Sequence, residues 1–108
     1  MIGTGVPFGK RIYSNYYKEL EKISKLTAGV RRLGAAALDL AYVSSGKIDG
    51  FWERNLNLWD VSSGVLLVKE AGGRVTEPQG NKWSIKSKDI LVSNTLIHEK
   101  LSENLTLL

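Results

Sequence analysis

The chain has 108 residues, of which 43% are hydrophobic and 24% charged, and this composition is typical of one ordinary globular domain. It contains no cysteine and a single histidine, His98, so disulfide bonds, thiolate chemistry and zinc sites built from cysteine or several histidines are excluded. Any metal chemistry must therefore use oxygen ligands, which suit hard cations such as magnesium.

Charge is distributed unevenly along the chain. Lysine and arginine number 15 against 11 aspartates and glutamates, and the excess lies before Ile48. A basic segment of this kind fits an anionic partner such as phosphate or nucleic acid, and it equally fits a solvated helix face. No apolar run approaches the roughly 18 residues of a membrane span, and no signal-peptide pattern opens the chain, so a cytoplasmic protein without a membrane partner is expected.

The first part of the sequence predicts a short extended segment followed by an amphipathic helix. Glycines and a proline punctuate residues 2–8, which favours a brief strand or a loop. Apolar residues then recur at helical spacing, with charged residues such as Glu19 between them, and Gly29 ends the pattern. The apolar positions of this predicted helix are Ile12, Tyr16, Leu20 and Ile23.

The middle of the chain predicts a strand, a helix of small residues and a second strand. Residues 30–33 form a brief predicted strand that carries two arginines, Arg31 and Arg32. From Gly34 to Gly46 small apolar residues occur almost all round, which predicts a helix packed closely between layers. Residues 48–53 alternate loosely and include two aromatic residues, so they favour a strand.

The remaining sequence predicts two helices and two strands. Trp59 and Asp60 open the clearest helix of the chain, with Asp60 at or beside its N-cap, and two glycines at 72–73 end it. Residues 75–77 and 90–93 are predicted strands, and a last helix follows with Asn94 as its predicted cap. Alternating helices and strands indicate an α/β fold in which helices flank a mixed sheet, in one compact unit without an internal boundary.

Two carboxylates are the leading candidates for chemistry. A carboxylate at a helix N-terminus, as predicted for Asp60, stays ionised and oriented as a metal ligand must be, although the same position also suits a simple cap. Glu53 lies seven residues earlier across a polar loop, which can turn both carboxylates into one cleft. The alternative for Glu53 is a surface residue paired with Arg54 or a neighbouring lysine.

Other polar or small residues allow a functional and a structural interpretation. Gly34 at a helix start would let a ligand approach backbone N–H groups, or would serve close helix packing. Asp39 is interpreted as a helix-face or buried structural residue, and Asp49 as a turn residue. His98 has no predicted partner, which favours a structural or exposed role. The two arginines at 31–32 either flank a phosphate or pair with carboxylates.

The ordered combination of these motifs resembles a known family. The stretch Val-Arg-Arg-Leu-Gly-Ala-Ala-Ala-Leu-Asp-Leu-Ala-Tyr-Val at 30–43, residues 46–53, Trp59-Asp60 and Lys-Glu-Ala-Gly-Gly at 69–73 are similar to the C-terminal half of inositol monophosphatases, which include bacterial extragenic suppressor proteins. The resemblance covers the chain from Thr4 onward. Each motif is weak alone, whereas their order is highly specific.

The resemblance implies both a fold and an activity. The fold would be the C-terminal part, here residues 1–108, of a layered sugar-phosphatase fold. The activity would be magnesium-dependent hydrolysis of an inositol monophosphate or a related sugar phosphate. By the same resemblance Asp60 binds metal and faces the substrate, Glu53 contacts inositol hydroxyls, and the backbone at Ala36 meets the substrate ring.

The sequence departs from the family in two respects. Asn57 and Leu58 stand where the family usually has Lys-Pro or a similar pair. The family's Asp-Pro-x-Asp-Gly-Thr motif and its first metal-binding glutamate belong to an N-terminal half that is absent here. We therefore expect the isolated chain to be inactive and to pair with that half or with itself as a homo-oligomer. The alternative is a binding module that uses the basic first part of the chain for RNA, transcription-factor or other protein contacts.

Overall fold

A computed structural model describes residues 1–5, 16–56, 59 and 61–106, and its strands form one five-stranded sheet. β1 pairs in parallel with β2 and with β3, whereas β5 is antiparallel to both β3 and β4. The spatial order is β2-β1-β3-β5-β4, so the predicted mixed sheet is confirmed. The strands are β1 (Ile2–Thr4), β2 (Val30–Arg31), β3 (Gly50–Glu53), β4 (Arg74–Thr76) and β5 (Ile90–Ser93).

Helices cover both sides of this sheet, which confirms the predicted α/β class. The helices are α1 (Tyr16–Leu26), α2 (Ala36–Ser44), α3 (Ser62–Glu70) and α4 (His98–Thr106). α1 and α4 share one apolar cluster with Ile2, Trp52 and Leu91 of the strands. α2 and α3 share the other cluster with Phe51 and Val92. We call these the α1/α4 side and the α2/α3 side.

β3 and β5 have both sides buried, because successive side chains of a strand point to opposite sides of the sheet. Phe51 belongs to the α2/α3 cluster and its neighbour Trp52 to the α1/α4 cluster. All four residues of each strand are buried. The sequence of a strand buried on both sides is nearly continuously apolar, and Glu53 interrupts it at its last position.

Glycines at two positions in this region have different physical roles. A Cβ atom on Gly64 of α3 would lie 2.5 Å from the Leu40 side chain of α2, so only glycine permits this helix contact. Gly34 has a φ of +91°, and no atom of the described residues lies within 4 Å of a Cβ built on it, so the backbone conformation before α2 requires glycine and close packing among these residues does not. The packing alternative for Gly34 is therefore wrong.

The structure corrects three details of the predicted helices. α2 is not enclosed between layers in the described part of the chain, because Ala37 and Leu38 are exposed. α3 begins at Ser62, later than the predicted start at Trp59-Asp60, with Val61 at the N-cap position; this agrees with the prediction that Asp60 stands at or beside the cap, although Asp60 itself lies outside the described residues. α4 begins at His98, and the Asn94 side chain instead accepts a hydrogen bond from the Leu96 backbone N–H at 3.2 Å. Asn94 thus stabilises the turn before the helix.

None of the helices in the described ranges has the length and apolarity needed to cross a membrane.

Candidate functional site

At one point of the sheet, the chain leaves two neighbouring parallel strands toward opposite sides of the sheet. β1 is followed by α1 on one side, and the adjacent β3 is followed by α3 on the other. In open α/β sheets, ligands bind in the crevice that such a divergence creates outside the carboxyl ends of the strands. In this chain Gly5 and Glu53 stand at those ends.

The N-terminus of α2 lies at the same edge of the sheet. α2 connects β2 to β3, which both run parallel to β1, so the helix must run back antiparallel to them and begin at their carboxyl ends. Ala35, at the N-cap position, is extended and provides no side-chain cap. The first N–H groups of a helix have no partner within it and favour anions and hydroxyl oxygens. The predicted substrate contact at Ala36 is therefore located at this edge.

Glu53 is buried, with 6% of its surface exposed, on the α2/α3 side of β3. A Cβ atom on Gly5 would collide with the Glu53 carboxylate, so this carboxylate lies directly over the backbone of β1's carboxyl end. Arg54 is directed to the opposite side, where its guanidinium pairs with Glu19 and Asp89. The alternative in which Glu53 is a surface residue is wrong, and the ion pairs found for Arg54 join it to other carboxylates.

Asp39 supplies a second buried carboxyl group on the α2/α3 side. It is 1% exposed and lies over Gly3, two residues before Gly5 on the same side of β1. No hydrogen-bond donor among the described residues reaches its Oδ1 atom. Burial, and secondarily the charge of Glu53, raise the pKa of Asp39 from 3.8 to about 7. A substantial fraction of Asp39 is therefore protonated near neutral pH.

The described residues do not by themselves complete a magnesium site. Within residues 1–5, 16–56, 59 and 61–106, no three histidine, aspartate or glutamate side chains come together as metal ligands. Magnesium requires several converging oxygen atoms. The predicted metal ligand, Asp60, lies outside the described residues, so its role stays a prediction.

The structure reveals a buried ion pair that the sequence analysis missed. Glu19 of α1 is fully buried and accepts hydrogen bonds from Arg54 Nε at 3.1 Å and from Trp52 Nε1 at 3.3 Å. Burial raises the pKa of the Glu19 carboxyl, and the Arg54 and Trp52 donors oppose that shift. The placement of Glu19 among the solvent-facing charges is wrong. Helical spacing contained the signal, since Glu19 stands three residues after Tyr16 and four before Ile23, which are both buried.

Further contacts hold the backbone that leaves β3. Arg54 Nη1 donates to Asp89 Oδ2 at 3.1 Å, and Arg54 Nη2 donates to the Leu105 carbonyl at 3.1 Å. The other carboxylate oxygen of Asp89 accepts the Asn55 backbone N–H at 2.9 Å. The Leu56 N–H donates to the backbone carbonyl of residue 88 at 2.9 Å. Residues 54–56 are thus tied to α1, α4 and the segment before β5.

His98 is buried and has two partners, so the expectation that it lacks one is wrong, whereas its structural role is supported. Its ring atom Nε2 lies 2.8 Å from Thr76 Oγ1 on β4, and its Nδ1 lies 2.7 Å from Ser93 Oγ on β5. The Thr76 hydroxyl donates to a backbone carbonyl at 2.7 Å, so Nε2 carries the ring proton and Nδ1 accepts from Ser93. Burial, and secondarily Arg74, lower the pKa of His98 from 6.5 to about 4.

The remaining candidates lie away from the carboxyl edge or at the surface. Asp49 precedes β3 at its opposite end, and its carboxylate pairs with the Met1 ammonium at 2.6 Å. This pairing agrees with a structural role for Asp49. Arg31 and Arg32 are exposed, and Arg31 Nη1 donates to the Val30 carbonyl at 3.1 Å. The contact found for Arg31 in the described part of the chain is thus to backbone.

Comparisons with known proteins agree with this fold. The sequence model of the inositol monophosphatase family matches residues 6–106. An inositol-1-monophosphatase of Caulobacter vibrioides is 48% identical over 107 residues, which are 97% of this chain and 42% of that protein. The Nus factor SuhB of Pseudomonas aeruginosa is 44% identical over 98 residues, 88% of this chain and 36% of that protein. The inositol monophosphatase structure from Anabaena superimposes with a TM-score of 0.89 at 45% identity, covering 96% of this chain and 42% of that one. The chain thus spans about 40% of the length of relatives it matches.

Proposed function

Because the chain belongs to the inositol monophosphatase family, we propose that it forms the substrate-facing part of a magnesium-dependent phosphatase acting on inositol monophosphate or a related sugar phosphate. The observation that carries this proposal is the Glu53 carboxylate, held over Gly5 where β1 and β3 diverge. A buried carboxylate at this edge can accept hydrogen bonds from the hydroxyl groups of a polyol ring.

Three residues of this chain have proposed roles at that site. Glu53 accepts substrate hydroxyls, and the uncapped backbone N–H groups near Ala36 donate to substrate oxygens. Asp60 provides a carboxylate to magnesium and faces the substrate, as the family resemblance implies. A bound magnesium ion would neutralise phosphate charge and activate a water molecule. Its other ligands would come from the part of the relatives' length that this chain does not span.

A complementation assay tests the proposal. The purified chain is mixed with the part of the Caulobacter relative that it does not match, and phosphate release from inositol 1-phosphate is measured with magnesium. We expect turnover from the mixture and none from the chain alone, with Asp60→Asn abolishing it. Glu53→Gln should raise KM roughly 10-fold or more, because a hydrogen bond to a charged group contributes about 1.5–3 kcal/mol. Glu103→Gln, an exposed change on α4, is the matched control.

Two results would contradict this function. Turnover by the chain alone that survives Asp60→Asn would show chemistry independent of the proposed metal ligand. A folded complex of the two parts without any turnover would show that the shared edge does not complete an active site.

A second candidate function rests on the basic face of α1 and on the SuhB relatives. Lys18 and Lys25 are exposed there, although Lys25 Nζ forms an ion pair with Glu21 Oε1 at 3.0 Å. A role in binding RNA or a transcription component predicts salt-dependent binding that survives Asp60→Asn. Reversal of Lys18, Lys22 and Lys25 to glutamate should weaken that binding, whereas Lys69→Glu on α3 serves as the control. Binding that does not respond to salt would contradict this candidate.

A further inference from the structure

We propose that Asp89, together with Arg54, is a positioning residue that fixes the backbone leaving β3 and thereby holds the Glu53 carboxylate over Gly5. The inference rests on the proposed substrate role of Glu53 and adds a residue pair that touches neither substrate nor metal. Its basis is the set of contacts that Asp89 makes to two successive residues, Arg54 and Asn55.

Both oxygens of the Asp89 carboxylate are used in this clamp. Oδ2 accepts from the Arg54 side chain at 3.1 Å, and Oδ1 accepts from the Asn55 backbone N–H at 2.9 Å. Asn55 has a φ of +55°, a conformation that non-glycine residues adopt sparingly, so the chain turns sharply out of the strand at this point. Asp89 also directly precedes Ile90, which pairs with Glu53 in the antiparallel ladder. The clamp therefore closes the last rung of that ladder.

The position of Glu53 depends on the clamp through the geometry of the strand. Glu53 and Arg54 are consecutive, and the structure places their side chains on opposite sides of the sheet. Fixing the Arg54 guanidinium on the α1/α4 side limits rotation of the backbone that carries Glu53 on the other side. The Glu53 carboxylate has little room, because it lies against the backbone at Gly5. A small rotation at residue 54 would move it off that position.

The solvent exposure of Asp89 distinguishes a positioning role from a role in the stability of the whole fold. The Asp89 side chain is 31% exposed to solvent, whereas Glu19, the other carboxylate paired with Arg54, is fully buried. Partly exposed ion pairs contribute little to folding free energy, since water screens them. Loss of the Asp89 carboxylate should therefore alter local geometry far more than global stability. Arg54 itself is unsuitable for the test, because its removal leaves Glu19 buried without its ion-pair partner.

The first experiment uses the 108-residue chain itself. Asp89→Ala is compared with Asp89→Asn, which keeps an oxygen acceptor, and with Asp49→Ala, which removes an ion-paired aspartate before the opposite end of β3. Amide hydrogen exchange is measured at Leu56, whose own acceptor is a backbone carbonyl that none of the variants removes. We expect roughly 10-fold faster exchange at Leu56 in Asp89→Ala, less than a 2-fold change in Asp49→Ala and an intermediate value in Asp89→Asn.

A spectroscopic signature accompanies the exchange data. In a chain labelled with 5-fluorotryptophan, the resonance of the exposed Trp59 should shift or broaden in Asp89→Ala, because Trp59 follows the clamped segment. The resonance of Trp83, which packs against the α2/α3 cluster, should not change. A merely structural role for Asp89 predicts equal effects on both resonances together with a lower urea midpoint.

The second experiment uses the complemented phosphatase. Asp89→Ala should raise KM for inositol 1-phosphate 5-fold or more with kcat changed less than 2-fold, because a displaced Glu53 weakens substrate binding without touching the reacting atoms. Asp89→Asn should recover most of the loss, and Asp49→Ala should match the unaltered chain.

The outcomes distinguish this inference from the proposed function. If the unaltered mixture shows no turnover, the proposed function is wrong, and the exchange and fluorine data alone decide whether the clamp orders the segment. If Leu56 exchange and the Trp59 resonance are unchanged in Asp89→Ala, the clamp is wrong whatever the activity. If the segment loosens while KM of an active mixture stays the same, the link from Asp89 to Glu53 is overturned.

Discussion

The two sides of the sheet differ in whether all of their buried polar atoms have hydrogen-bond partners. On the α1/α4 side such groups have partners: Glu19 bonds Arg54 and Trp52, and His98 bonds Thr76 and Ser93. On the α2/α3 side lie both buried side-chain atoms that lack a partner in the described part of the chain, Asp39 Oδ1 and Trp83 Nε1.

The difference affects how each side contributes to stability. A buried polar group with partners costs little and fixes one arrangement of the elements around it. A buried group without partners lowers stability, and native proteins retain few of them. Asp39 stands on the same side of β1 as Glu53, over Gly3 and two residues before Gly5. The α1/α4 side therefore carries the framework, and the α2/α3 side carries the proposed site.

The largest expected effect comes from removing the buried ion pair on the α1/α4 side. Glu19→Ala removes the buried carboxylate that pairs with the Arg54 guanidinium and accepts from the Trp52 N–H, so the free energy of unfolding should fall by about 3–5 kcal/mol. Urea unfolding of the purified chain measures this loss. Glu21→Ala removes only an exposed pair with Lys25 and should change stability by less than about 0.5 kcal/mol. Equal losses in the two variants would contradict a buried network on this side.

Asp39→Asn should stabilise the chain at alkaline pH. The pKa of Asp39 is raised from 3.8 to about 7, so its ionisation weakens the folded state progressively as pH rises through that interval. The variant lacks this penalty, and its advantage over the unaltered chain should be about 2–3 kcal/mol larger at pH 8 than at pH 5. Urea unfolding at the two pH values tests this. An advantage independent of pH would show that Asp39 does not titrate in this range.

His98→Gln should have the opposite pH signature. The pKa of His98 is lowered from 6.5 to about 4, so the stability associated with its neutral ring is present above 6.5 and is lost as pH falls toward 4. The unaltered chain should lose about 2–3 kcal/mol from this source between pH 7.5 and pH 4.5, and the variant should not. Nitrogen NMR of the ring gives the pKa and the Nε2–H tautomer directly. A ring that titrates near 6.5 would contradict the buried neutral imidazole.

The smallest expected effect tests packing on the α2/α3 side. Gly64→Ala places a methyl group against Leu40 of α2, so it should cost about 1–2 kcal/mol despite the better helix propensity of alanine. Ser63→Ala, at the exposed neighbouring position, is the control and should stay within about 0.5 kcal/mol. A stabilising Gly64→Ala would show that the two helices are farther apart.

Local sequence patterns predicted much of the fold, and each difference between prediction and structure has a physical cause. Hydrophobic periodicity predicted α1, α3 and α4, because burying one stripe of a helix imposes that spacing, whereas the run of small apolar residues predicted α2. The predicted ends were less accurate, as for Asn94, since an Asn side chain that bonds backbone two residues on stabilises a turn as readily as a helix start. For the site, Glu53 and Ala36 were recognised through family motifs. The raised pKa of Asp39 depends on its burial, which only three-dimensional packing reveals.

The sequence by itself determined the α/β class and the family, because periodicity and motif order are properties of the linear chain. Tertiary structure alone decided how the buried charges are paired. Glu19 and Arg54 stand 35 residues apart and meet only when α1 packs on β3, and Asp89 reaches Arg54 only across the antiparallel ladder. These pairings are set by contacts distant in sequence, so no local pattern contains them.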